Sequence, residues 1–218
     1  MMKNLLSQPT VTFCEKITNN FVSRPNYALS NLAYFIVALI LFYKVKQSKI
    51  FLPFAILALT IGSFSMFYDI RPLYLTQLLD LLAMLILANL IIFLNLIKLY
   101  KFDLFKSILA ATALIVTGMV IVLTFQSYAG NYVFGFFILC IIITEFLIYR
   151  KKLHKDYGYW LAALLIFVIA SILWIPDGTK THCNQILLLN GRAVFHYLTA
   201  ISICLLAFFY SKNDLSVN

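Results

Sequence analysis

Residues Ser65 to Asp80 read SMFYDIRPLYLTQLLD, and the reading of this stretch decides the fold. Its first part closes one apolar run, its second part opens another, and Ile70-Arg71-Pro72 marks the turn between them. Ser65 and Asp69 are four residues apart, so on a helix they share a face. Asp80 falls inside the second run, where an ionised carboxylate costs roughly 2.5–3.5 kcal/mol on insertion scales. The default reading of an ionisable residue at that depth is a functional site with a partner elsewhere in the chain.

The surrounding sequence makes those runs membrane spans. Of 218 residues, 63% are hydrophobic and only 11% are charged, unlike a soluble domain. Seven charge-poor runs follow one another: Tyr27–Tyr43, Ile50–Tyr68, Leu73–Ile97, Leu104–Phe125, Tyr132–Tyr149, Tyr159–Ile175 and Leu187–Tyr210. Each is about long enough to cross a bilayer, and the third is long enough to tilt. The pattern predicts an all-α, polytopic membrane protein, with one domain over residues 1–218. Residues 1–25 form a leading tail without the apolar core of a signal peptide, and residues 211–218 form a trailing one. Pro53 and Pro72 are expected in first helical turns, where a missing N–H costs nothing. Tyr43, Tyr68, Tyr149, Tyr159, Trp160, Trp174 and Tyr210 stand near run ends, as an interfacial aromatic belt would.

An odd number of spans puts the termini on opposite sides. The leading tail and the even loops carry five cations, Lys3, Lys16, Arg24, Arg71 and Lys180. The other side carries eleven: Lys44, Lys46, Lys49, Lys98, Lys101, Lys106, Arg150, Lys151, Lys152, Lys155 and Lys212. The positive-inside rule then predicts an extracytoplasmic N-terminus and a cytoplasmic C-terminus. The net charge of +9 is thus a topology signal, with anionic-lipid contact as its second reading. No nucleic-acid partner is implied.

In that topology five polar side chains come to one level in the outer half of the bundle. Ser65 and Asp69 end the second span, and Asp80 lies ~12 Å into the third at 1.5 Å per residue. Arg192 and His196 are four apart near the start of the seventh and share a face. Structural readings compete for each. Ser65 could bond between helices, Asp69 and Arg192 could snorkel to the interface, and His196 could be a packed core histidine. Glu145 is read as interfacial, and Cys140 and Cys204 as small apolar residues within spans. Cys14 and Cys183 both fall on the outer side. In an oxidising compartment they can form a disulfide; otherwise they are two free thiols.

These fragments resemble the alkaline ceramidases. The resemblance rests on Cys14-Glu15, Leu29-Ser30-Asn31-Leu32-Ala33-Tyr34, the Ser65…Asp69…Gln77-Leu78-Leu79-Asp80 block, Trp174-Ile175-Pro176-Asp177, Cys183 and Gly191-Arg192-Ala193-Val194-Phe195-His196. That family is part of a wider group of seven-helix membrane hydrolases that includes the adiponectin-receptor-like proteins. It implies a hydrolase of carbon–nitrogen bonds in long-chain lipid amides such as ceramide, working in the bilayer. It also implies a zinc ion held by three histidines, one on the second span and two on the seventh. A serine and an aspartate complete that site, and those roles fall on Ser65 and Asp80. The resemblance further implies a disulfide between Cys14 and Cys183, and an N-terminal acidic calcium site of which Glu15 is the remnant.

The chain departs from this pattern at the metal. Asp69 stands at the second-span histidine position and Arg192 at the first seventh-span one, so that His196 alone is kept. An Asp can ligate zinc, but a guanidinium is cationic and offers no lone pair. Glu15 has Thr12, Lys16 and Ile17 around it, which argues against calcium. Asp69 and Arg192 are complementary charges, and a buried bidentate pair would bridge the two spans in place of the metal. Two functions therefore compete. One is a lipid-amide hydrolase of the ceramidase type, favoured by the fold, Ser65, Asp80 and His196, with a degenerate zinc site; a variant of it keeps a metal on Asp69, Asp80 and His196, with Arg192 turned towards substrate. The other is a non-catalytic relative that binds a lipid or a partner and holds an Asp69–Arg192 ion pair in place of the metal.

Overall fold

The computed structural model of the chain describes residues 4–18, 20–100, 104–125, 129–181, 183 and 190–213. Among these, all regular structure is helical: α1 (Pro25–Ser30), α2 (Leu32–Lys44), α3 (Phe51–Ile70), α4 (Tyr74–Tyr100), α5 (Leu104–Phe125), α6 (Ala129–Arg150), α7 (Gly158–Thr179) and α8 (Gly191–Lys212). Helices α1 and α2 make one span, Pro25–Lys44, and six further helices are long and apolar enough to cross a membrane. The reason is elementary. In hydrocarbon a backbone must satisfy its own hydrogen bonds, and runs of Leu, Ile, Phe and Ala do so as helices. Residues 187–189 of the expected seventh run and residues 214–218 of the trailing tail lie outside the described residues.

Two local expectations are corrected. Pro72 is not in a first turn, since α4 starts at Tyr74. It sits in the linker, where Leu73 N–H donates to Thr76 Oγ1 at 3.1 Å. The first turn of α4 is instead served by the leading tail: Tyr74 N–H donates to Ser7 O and Leu75 N–H to Leu5 O, both at 2.9 Å. These are donors that no intrahelical acceptor can reach. The sixth run, expected to end at Ile175, continues as α7 through Pro176 to Thr179, so Asp177 is helical. Pro176 removes one backbone hydrogen bond of α7, which ends one turn later at the left-handed Lys180.

The chain forms two compact units, one of Leu81–Lys155 and one of Asn4–Asp80 with Asp156–Asp214. In the first, Asn95 Nδ2 donates to Thr144 Oγ1 at 3.0 Å between α4 and α6. Glu145, expected at the interface, is only 1% exposed. His154 folds back from the loop after α6 and brings Nδ1 to 2.9 Å from Glu145 Oε1, which gives the buried carboxylate a partner.

In the second unit α7 and α8 pack closely. A Cβ on Gly191 would collide with the Leu173 carbonyl oxygen, so only glycine can start α8 there. Ser202 Oγ donates to Ala163 O at 3.0 Å lower in the same pair. The core of this unit at its N-terminal-tail end gathers Phe13, Tyr27, Tyr68 and Ala193, with Val11, Trp174 and Tyr197 against them. A residue of the tail, Phe13, is thus part of the core.

Candidate functional site

Helix α3 presents Ser65 and Asp69 one turn apart, α4 presents Asp80, and α8 presents Arg192 and His196. All five are buried, Asp69 completely. Arg192 is the hub. Its Nη2 donates to Asp80 Oδ2 at 3.2 Å and lies 3.5 Å from Ser65 Oγ. Its Nε lies 3.3 Å from Asp69 Oδ1, close enough to be an ion pair but without the alignment of a hydrogen bond. The other oxygen of Asp69 accepts from Asn31 Nδ2 at 3.1 Å.

A second guanidinium enters that sequence reasoning treats only as an outer-loop cation. Arg24 is 1% exposed, and its Nη1 is 3.9 Å from Asp69 Oδ1. Two carboxylates and two guanidiniums therefore share one buried cluster, and their formal charges cancel. Balance of this kind is what makes buried charge tolerable. Rings enclose the cations. The Arg192 guanidinium lies 4.3 Å from the centre of Phe13 and 5.1 Å from that of Tyr68, and Arg24 lies 5.5 and 5.4 Å from the same rings. Such contacts attract a cation to the ring face.

His196 is held from both sides. Its Nδ1 is 2.7 Å from Ser30 Oγ, and its Nε2 is 3.4 Å from Ser65 Oγ. Ser30 already donates its proton to Tyr27 O at 2.7 Å. Its oxygen must then accept from Nδ1–H, which leaves the lone pair of Nε2 facing Ser65.

The leading tail closes this cluster over. The Cys14–Cys183 disulfide brings the two Cα atoms to 5.2 Å. Glu15 spends both oxygens on the first turn of α1, accepting from Asn26 N at 2.9 Å and Tyr27 N at 3.0 Å. It thereby caps the helix at the dipole's positive end. Asp177 joins four segments: Oδ1 accepts from Cys14 N and from the Tyr27 hydroxyl, each at 2.8 Å, and Oδ2 accepts from Arg192 N at 2.6 Å. Asp177→Ala is expected to cost about 3 kcal/mol, since hydrogen bonds to a charged group contribute about 1.5–3 kcal/mol each and are not additive. Thermal unfolding of the purified protein measures this, and a shift no larger than that of the exposed Asp156→Ala would refute it.

Sequence reasoning gives Asp177 and Asn31 no role and misses Arg24. A signal for the latter two does exist: an Arg directly before Pro25 and an Asn inside an apolar run both need partners.

The residues present do not fit the zinc centre that the resemblance implies. No three His, Cys, Asp or Glu side chains among the described residues are grouped to hold a metal ion. Between Asp69 and Asp80, where a cation would stand, there is already the guanidinium of Arg192, which has no electron pair to donate.

Among the described residues, seven helical spans, with a cluster of paired charges buried among α1, α3, α4 and α8, define a multi-pass helical membrane protein with an internal polar centre. The chain belongs to the ceramidase family, whose family model matches residues 7–216. A search of curated proteins finds no match.

Proposed function

We propose that this member of the ceramidase family binds a long-chain lipid, ceramide or another long-chain amide, and does not hydrolyse it through a metal. The observation that carries this is the position of Arg192, paired to Asp80 at 3.2 Å and to Asp69 at 3.3 Å. Arg192 is a permanent cation set between both carboxylates, and with Arg24 beside Asp69 it completes their charge balance, so no negative charge is left to hold a metal cation. The decisive experiment uses the purified protein with a long-chain ceramide. Metal analysis is expected to find no stoichiometric zinc, and added zinc is expected to release no fatty acid. One zinc per chain, or zinc-dependent release, would overturn the reading.

A second reading is favoured by one contact. The lone pair of His196 Nε2 faces the Ser65 hydroxyl at 3.4 Å, the arrangement of a general base beside a nucleophile. Asp80 stands beside them, hydrogen-bonded to Ser65 and paired with Arg192. Hydrolysis that survives a chelator and disappears in Ser65→Ala would select this metal-free hydrolase.

The orientation belongs to the same proposal, with the N-terminus extracytoplasmic and the C-terminus cytoplasmic. Its support is the split of five cations against eleven. Reporters fused after Lys151 and at the C-terminus are expected to read cytoplasm, and one after Gly178 the opposite side. A reporter after Gly178 that reads cytoplasm would reverse this.

A further inference from the structure

An apolar groove of about 510 Å³ lies between α2, the start of α7 and α8, and none of Arg24, Asp69, Asp80 and Arg192 lines it. Val37 and Ala200 make a buried floor, and Ile36, Ile40 and Ile201 stand exposed along its rim. From Tyr197 to Phe208 the groove follows α8 for about 16 Å at 1.5 Å per residue. That is about half of the ~30 Å hydrocarbon core, the depth of one leaflet. All of the lining belongs to helices of spanning length.

The two helix faces that line it end alike. On α2 the row Ile36, Ile40 continues one turn later as Lys44; on α8 the row Ala200, Cys204, Phe208 continues one turn later as Lys212. Residues four apart share a helix face, so each apolar row terminates in an ammonium group at the same end of the groove. Lys212 Nζ lies 4.4 Å from the centre of the Tyr159 ring, itself part of the lining. Its carboxylate partner, Asp156 at 3.7 Å, is an exposed one, with the two side chains 50% and 58% accessible. A pair that exposed is weak and readily exchanged.

We infer that this groove is a site for one anionic glycerophospholipid of the leaflet that meets the α2 and α8 C-termini. An acyl chain lies along Val37, Ile40, Ala200 and Cys204, and the phosphate is held by Lys44 and Lys212. An apolar trough that ends in two cations matches an amphiphile with one negative head. A second copy of this chain is disfavoured, because a symmetric contact through this face would bring lysine to lysine. The inference rests on the membrane-spanning helices and is independent of whether the charged cluster binds or cleaves a lipid.

The test is native mass spectrometry of the full protein released from nanodiscs made of equal dioleoyl-phosphatidylglycerol and dioleoyl-phosphatidylcholine. Each lysine near a membrane surface contributes about fivefold in affinity for an anionic lipid. The wild type is therefore expected to retain one phosphatidylglycerol with roughly twenty-fivefold preference. Lys44→Gln with Lys212→Gln should bring the preference to parity. Cys204→Phe, which fills the trough at a half-buried position, should lose the bound lipid of either kind. Lys151→Gln with Lys152→Gln should change nothing. Preference that persists in the Lys44/Lys212 double variant overturns the assignment. So does retention that is unchanged by Cys204→Phe, or an equal loss in the Lys151/Lys152 control, which would mean a diffuse attraction of anionic lipid to basic loops.

Discussion

Replacing Arg192 by methionine is expected to destabilise the folded protein by about 3–5 kcal/mol, the usual effect of orphaning a buried charge. The substitution keeps an unbranched apolar stem but removes the partner of both Asp69 and Asp80. Arg24, at 3.9 Å from Asp69, would then face two carboxylates alone, and Asp80 would keep no cation among the described contacts. A guanidinium is always charged, so the wild-type cluster cannot relieve itself by losing that proton. The same place can be tested as a metal site. Asp69→His together with Arg192→His places two imidazoles on α3 and α8 near His196, three nitrogen donors of the kind zinc prefers. One zinc per chain is expected in that double variant, and a chelator should then lower its unfolding temperature. A destabilisation by Arg192→Met of less than about 1 kcal/mol, the range of an exposed pair, would remove the charged cluster from the account of stability. A double variant that folds and takes no zinc would show that these two positions and His196 do not together hold the metal.

Loss of the Cys14–Cys183 disulfide carries the second large effect. The bond closes a separation of 169 residues. In the chain-entropy account a loop that long contributes at the upper end of the range, near 5 kcal/mol. Inserted helices are already restrained by the bilayer when the bundle opens, so about 2–4 kcal/mol is the expectation for Cys14→Ser with Cys183→Ser. What is released is specific. Cys14 N donates to Asp177, Phe13 covers the Arg192 guanidinium, and Glu15 caps α1. Freed from the bond, this tail should detach before the helices do. Thermal unfolding of the wild type in a reductant should then match that of the double serine variant. Unfolding that neither reductant nor substitution moves would show that the other contacts hold the tail unaided.

Much of the architecture is legible in the amino-acid sequence. The seven spans follow from apolar composition over windows of about 20 residues, a local property that the bilayer enforces because only a helix satisfies its backbone hydrogen bonds within a single segment. Five polar residues at one level, Ser65, Asp69, Asp80, Arg192 and His196, follow from helical spacing and depth. The departure of Asp69 and Arg192 from a histidine pattern is visible as residue types alone.

The rest depends on contacts between segments far apart in sequence. Arg24 reads as one more outer cation until Asp69, Phe13 and Tyr68 converge on it. Glu145 reads as interfacial until the loop after α6 returns His154 to its carboxylate. Asp177 stands two residues beyond the apolar run that ends at Ile175, and composition gives it no role. Only the packed ends of α7 and α8 make it the acceptor for Cys14, Tyr27 and Arg192. Hydrophobicity is summed along the chain and can be read there. A buried charge is decided by which partners tertiary structure places within about 4 Å of it.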